Sequence, residues 1–148
     1  MSRRYALVVS LIAVGLFAPT NPAPAADCYA KEASQKVKLN NKLKCGFQGP
    51  RWGSDINGHR LWCLIADQNT AQAETDNRAK DIEKCTCQWY ADQTMVQVAT
   101  NTAKKCGFTG LRWLDDKKAH YDWCANFKPG MDAMMNEMKA RKNMLKGC

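Results

Sequence analysis

Residues 45–63 read CGFQGPRWGSDINGHRLWC, and residues 106–124 read CGFTGLRWLDDKKAHYDWC. The two stretches align without a gap, and ten of their nineteen positions are identical. Self-similarity at a fixed spacing points to a chain built from repeated supersecondary units. The flanks extend the match more loosely: Tyr29-Ala30 with Tyr90-Ala91, Asn40 with Asn101, and Glu74, Arg78 and Ile82 with Glu137, Arg141 and Leu145. Each half carries four of the eight cysteines, which sets the units at residues 26–85 and 86–148. Together they are the size of one ordinary domain.

Working outward from the motif, segments 28–45 and 88–105 contain neither Gly nor Pro. Each is predicted to be a helix closed by the glycine after its cysteine. The Gly-rich start of the motif is then a loop. Asp55 and Asp115 are expected N-caps of a short helix whose face carries His59, Trp62, Cys63 and Ala66, or His120, Trp123, Cys124 and Phe127, at spacing i, i+3, i+4, i+7. After the Pro129-Gly130 break a last helix covers 131–146, with its counterpart at 70–84. Glu74 and Arg78, like Glu137 and Arg141, have the i, i+4 order of an exposed helix pair. The fold expected is all-α: two tandem disulfide-stapled helical hairpins, each with a long N-terminal helix, a Gly-rich loop with a short helix, and a C-terminal helix.

An even number of cysteines in a short exported chain implies a disulfide framework. A helix from Cys28 to Cys45 would be about 26 Å long, too far for a bridge that needs Cα atoms within roughly 7 Å. If the first and last helices of each unit run antiparallel, the bridges are nested: Cys28–Cys85 around Cys45–Cys63, and Cys87–Cys148 around Cys106–Cys124. Export itself is read from residues 1–25. Arg3 and Arg4 precede the apolar stretch Leu7–Phe17, and Ala23-Pro24-Ala25 fits a signal-peptidase site, with cleavage after Ala26 as the alternative. The apolar stretch is too short to span a bilayer, and the rest of the sequence has no run approaching that length. The expected location is therefore periplasmic or secreted, without integral membrane segments.

The formal charge is +8, and it falls to +6 once Arg3 and Arg4 are removed. Basic residues are interspersed with acids, which argues against a nucleic-acid partner and leaves a mild attraction to anionic envelope components. The chemically richest residues are Arg51, Trp52, His59 and Trp62, with Arg112, Trp113, His120 and Trp123. A guanidinium, an imidazole and indoles can line a pocket for an anion, a sugar ring or a peptide. The competing structural assignment folds the loop over the short helix, packs Trp62 with Phe47, bonds His59 to loop backbone and pairs Arg51 with Asp55. Met131, Met134, Met135 and Met138 form a stripe that serves either as pliable core or as a soft Cu(I) site.

No cofactor motif, nucleophile elbow, phosphate loop or H-E-x-x-H is present, so catalysis ranks third among the functions. The first is a small exported binding module with two similar Arg-Trp-His sites for an envelope or extracellular component. Two sites would add avidity for a repetitive ligand. The second is an envelope-stabilising or copper-handling protein that uses the methionine helix.

Overall fold

The computed structural model describes the backbone of residues 24–148 and the side chains of residues 29–148. The signal-peptide assignment and the Cys28 side chain therefore lie outside the described residues. Five α-helices follow one another, with no strand among the described residues: α1 (Pro24–Leu43), α2 (Ile56–Ile65), α3 (Gln68–Lys104), α4 (Lys117–Phe127) and α5 (Gly130–Gly147). Short 3₁₀ turns at Pro50–Trp52 and Leu111–Trp113 precede α2 and α4.

The helices expected at 70–84 and 88–105 are one 37-residue helix, α3. Nothing between Gln68 and Lys104 breaks it, because this stretch contains neither Gly nor Pro. Its buried residues include Arg78, Ile82, Thr86, Tyr90, Thr94 and Val98. Steps of four on a 3.6-residue helix rotate the stripe by about 40° each, so the buried face turns through about 200° from Arg78 to Val98. The first part of α3 packs on α1 and the second part on α4 and α5.

Chain direction overturns the nested bridges. The described bridges are Cys45–Cys85, Cys87–Cys124 and Cys106–Cys148, so Cys28–Cys85, Cys45–Cys63, Cys87–Cys148 and Cys106–Cys124 do not describe this fold. The short helix is the reason. Tyr29, near the start of α1, packs against Trp62, near the end of α2, with ring centroids 5.0 Å apart. Helix α2 is thus a return leg that carries the chain back along α1. Helix α3 then runs in the same sense as α1, passing Tyr29 at Arg78 and reaching Cys45 at Cys85. With three legs rather than two, the end of the first helix meets the middle of α3, at Cys85. Cys63 is unbridged among the described residues.

Equivalent positions of the two halves make equivalent contacts. Val37, Trp52 and Ile82 form one buried cluster with Phe47 and Cys45, and Val98, Trp113 and Leu145 form another with Phe108 and Cys106. Asn40 clamps its loop by donating to the Phe47 carbonyl at 3.0 Å and accepting from the Phe47 N–H at 3.2 Å. Asn101 does the same to Phe108, at 2.8 and 3.1 Å. Gly49 (φ 92°, ψ 177°) and Gly110 (φ 91°, ψ 180°) occupy backbone space open essentially only to glycine, which explains why both motifs carry it there.

Three helix ends differ from expectation. Lys44 and Lys105, both at φ 56°, take the left-handed position directly after α1 and α3, one residue before each cysteine. Asp116, rather than Asp115, caps α4, accepting from the Ala119 N–H at 3.2 Å, while Asp55 caps α2 through the Asn57 N–H at 2.9 Å. A lysine in left-handed backbone is strained relative to glycine. Lys105→Gly is therefore expected to stabilise the protein by about 0.5–1 kcal/mol, seen as a higher urea midpoint with an unchanged slope. A lowered midpoint would show that the lysine side chain contributes more than its backbone costs.

Candidate functional site

The exposed ion pair expected from Glu74–Arg78 spacing is instead the floor of a cleft. Arg78 and Arg141 are only 1 % and 2 % exposed, and each reaches across its half to bind the loop. Arg78 Nη2 donates to the Arg51 carbonyl at 2.9 Å, to Glu74 Oε1 at 2.9 Å and to the Tyr29 hydroxyl at 3.3 Å. Arg141 donates from Nε to the Arg112 carbonyl at 3.1 Å, from Nη2 to the Tyr90 hydroxyl at 3.0 Å, and from Nη1 to the Thr94 hydroxyl at 2.7 Å. Both guanidiniums also sit over their tyrosine rings at 5.5 Å. Burial raises the Tyr29 hydroxyl above its ordinary pKa, and the bond from Arg78 opposes that rise.

Arg51 and Arg112 bridge from the loop to the same glutamates. Arg51 Nε lies 2.7 Å from Glu74 and Nη1 lies 3.3 Å from Asp81. Arg112 grips Glu137 through Nε at 2.7 Å and Nη2 at 2.9 Å. The pairing of Arg51 with Asp55 does not occur, because Asp55 is engaged as a helix cap. His59 and His120 are buried, and each ring Nε2 lies against a loop carbonyl: Gly53 at 2.9 Å and Leu114 at 2.8 Å. Each Nε2 then carries the proton, since a carbonyl can only accept.

These residues open onto two clefts of similar size. The first, about 450 Å³, has Tyr29, Arg51, His59, Trp62, Glu74 and Arg78 among its walls. The second, about 480 Å³, has Tyr90, Arg112, His120, Trp123, Glu137 and Arg141. Of the eight residues singled out by sequence, six line the clefts. Trp52 and Trp113 do not; they are buried in the helical core, stacked on Phe47 and Phe108 at 4.7 and 5.1 Å. Phe47 thus packs with Trp52, and Trp62 with Tyr29. The tyrosines, glutamates and buried arginines were missed as site residues, although all three aligned between the halves in otherwise diverged flanks.

The methionine stripe divides by burial. Met134 is buried with its sulfur 3.4 Å from Cys124 Sγ, Met131 and Met138 are half-buried, and Met135 is exposed. Among the described residues, no group of three or more His, Cys, Asp or Glu is placed to hold a metal ion, and no helix is long and apolar enough to cross a membrane. No protein family, curated protein or solved structure matches the chain.

Proposed function

We propose that this chain is an exported binding module made by duplication of one three-helix unit, with one ligand site in each half. The observation that carries it is the recurrence of the same six side chains, in the same roles, around both clefts. A loop needing only mechanical support would not require an aromatic wall, a half-exposed arginine and an open volume to recur together. Export is supported by the N-terminal signal pattern and by three disulfides, a framework that persists in oxidising compartments. The ligand class is a component of the cell envelope or its surroundings, and two sites on one chain favour a ligand that presents its feature repeatedly.

The test separates binding from bracing. Arg51 and Arg112 are partly exposed, 34 % and 45 % at the side chain, and Glu74 and Glu137 keep Arg78 and Arg141 as partners when they are removed. Arg51→Ala with Arg112→Ala should therefore cost no more than about 3 kcal/mol in all, at up to about 1 kcal/mol for each of the three ion pairs lost, and leave the protein folded. The expected result is that wild type retains an envelope-extract component that the folded double variant loses, with each single variant weakened more than twofold. Equal recovery of every retained component by both proteins would falsify the assignment.

A further inference from the structure

The two clefts share a floor but not a charge balance. In the first, Arg51 and Arg78 face Glu74 and Asp81 in direct contact, with Asp55 as a third carboxylate on the wall. In the second, the position of Asp81 is occupied by Met144. Among the described residues, Glu137 alone serves both Arg112 and Arg141. The remaining edge of Arg112 has, among the described residues, only the Met144 sulfur, 3.9 Å from Nη1, and a thioether is a weak acceptor. Asp122, the other acid on this wall, is engaged by Lys118. With Asp122 taken up by Lys118, Arg112 and Arg141 share the single carboxylate of Glu137, and the Arg112 side chain is 45 % exposed.

The rim differs as well. Leu111, Phe127 and Leu114 stand 87 %, 73 % and 40 % exposed at the mouth of the second cleft, where the first half has Pro50, Ala66 and Gly53. An uncompensated guanidinium edge framed by solvent-facing apolar side chains complements an amphipathic anion. The planar fork of arginine matches a carboxylate, and the apolar rim gains by covering a hydrophobic body. We propose that the second cleft binds a carboxylate carried on an apolar or aromatic body, with the carboxylate on the open edge of Arg112 and the body against Leu111 and Phe127. This deepens, and rests on, the assignment of the clefts as ligand sites. A free small acid and the C-terminus of an apolar peptide share this chemistry.

The residue that distinguishes the halves supplies the test. Titrations of the oxidised full-length mature protein, followed by calorimetry and tryptophan fluorescence, use 2-naphthylacetate, 2-naphthylacetamide, N-acetyl-Leu-Phe with a free carboxylate, and its C-terminal amide. Wild type should bind at least one acid at one site, at least tenfold more tightly than the matching amide. Which acid binds identifies the source: the naphthyl acid alone a small metabolite, the peptide alone a chain terminus, both the shared chemistry. Met144→Asp gives Arg112 the partner that Arg51 has in Asp81 and should weaken the acid at least tenfold. Asp81→Met should open the equivalent edge of Arg51 and add a second, weaker site. Should Met144→Asp fail to fold by circular dichroism, Arg112→Gln takes its place, since Glu137 then keeps Arg141. Equal affinity for acid and amide, unchanged acid binding in the folded variant, or no binding of either acid would overturn the proposal. Loss of an envelope component by the Arg51/Arg112 double variant could still stand after such a failure, so the two assignments fail separately.

Discussion

Arg141→Met is expected to destabilise the protein by about 3–5 kcal/mol, the usual cost of removing one member of a buried ionic network. Methionine roughly conserves the length of the side chain, so the loss comes from stranded polar groups rather than from a cavity. The Tyr90 and Thr94 hydroxyls and the Arg112 carbonyl each lose a charged donor within 3.1 Å, and a buried acceptor left unpaired costs about 1–3 kcal/mol. Arg78→Met should cost less. The counterpart of Thr94 is Ala33, and Arg78 Nε is buried without a partner among the described residues, so its three bonds share the two hydrogens of Nη2, whereas Arg141 donates from three nitrogens. Thr94→Ala introduced with Arg141→Met should recover part of the loss, because the two residues share one bond and their effects are not additive. Urea unfolding of the four proteins measures all of this. A loss below about 1 kcal/mol for Arg141→Met would show that the guanidinium does not hold the loop to the helix.

The second large effect concerns the bridges. Cys106–Cys148 closes a separation of 42 residues with Cα atoms 5.6 Å apart. The loop-closure relation gives about 4 kcal/mol for such a bridge, so Cys106→Ser with Cys148→Ser should lower the melting temperature steeply while leaving Cys45–Cys85 in place. Non-reducing peptide mapping is expected to return the three described bridges. It should also return Cys28–Cys63, because Cys63 aligns with Cys124, whose partner Cys87 lies shortly before Tyr90 as the remaining Cys28 lies shortly before the aligned Tyr29. Cys28 lies one residue before its tyrosine and Cys87 lies three before, an offset of two residues between the halves. Burial pushes the Cys63 thiol above its ordinary range, so a free thiol would alkylate slowly in the folded protein, and labelling must be done in denaturant. Full labelling of Cys63 there, without reductant, would rule the fourth bridge out.

What could be read before the structure followed local physics. Absence of Gly and Pro located the long helices, and the aligned motifs located the loops, the Asp55 cap and six of the cleft side chains, while the second cap fell on Asp116, one residue past the expected Asp115. Connectivity was not legible, because it hinges on whether α2 counts as a loop or as a leg, and ten residues with a capping Asp55 suit either description. The buried arginines were hidden for a related reason. Glu and Arg four apart on a helix give the same pattern whether the face meets water or a loop, and only the contact with the Arg51 carbonyl decides it. Helix α3 concealed its continuity in the same way, since a buried stripe that winds around the helix leaves no constant apolar face in the sequence.

If the two clefts bind ligands as proposed, that uninterrupted helix would act as a caliper between them. Arg78 in one cleft floor and Tyr90 in the other are twelve residues apart on α3, which sets them about 18 Å apart along the axis and about 120° around it. A hinge between the halves would let one molecule adapt to ligands of many spacings. A continuous backbone ladder allows only one. Bivalent capture should then select by geometry: a ligand whose two features match this offset gains the full intramolecular advantage, and one with a shorter reach binds as though each cleft were alone.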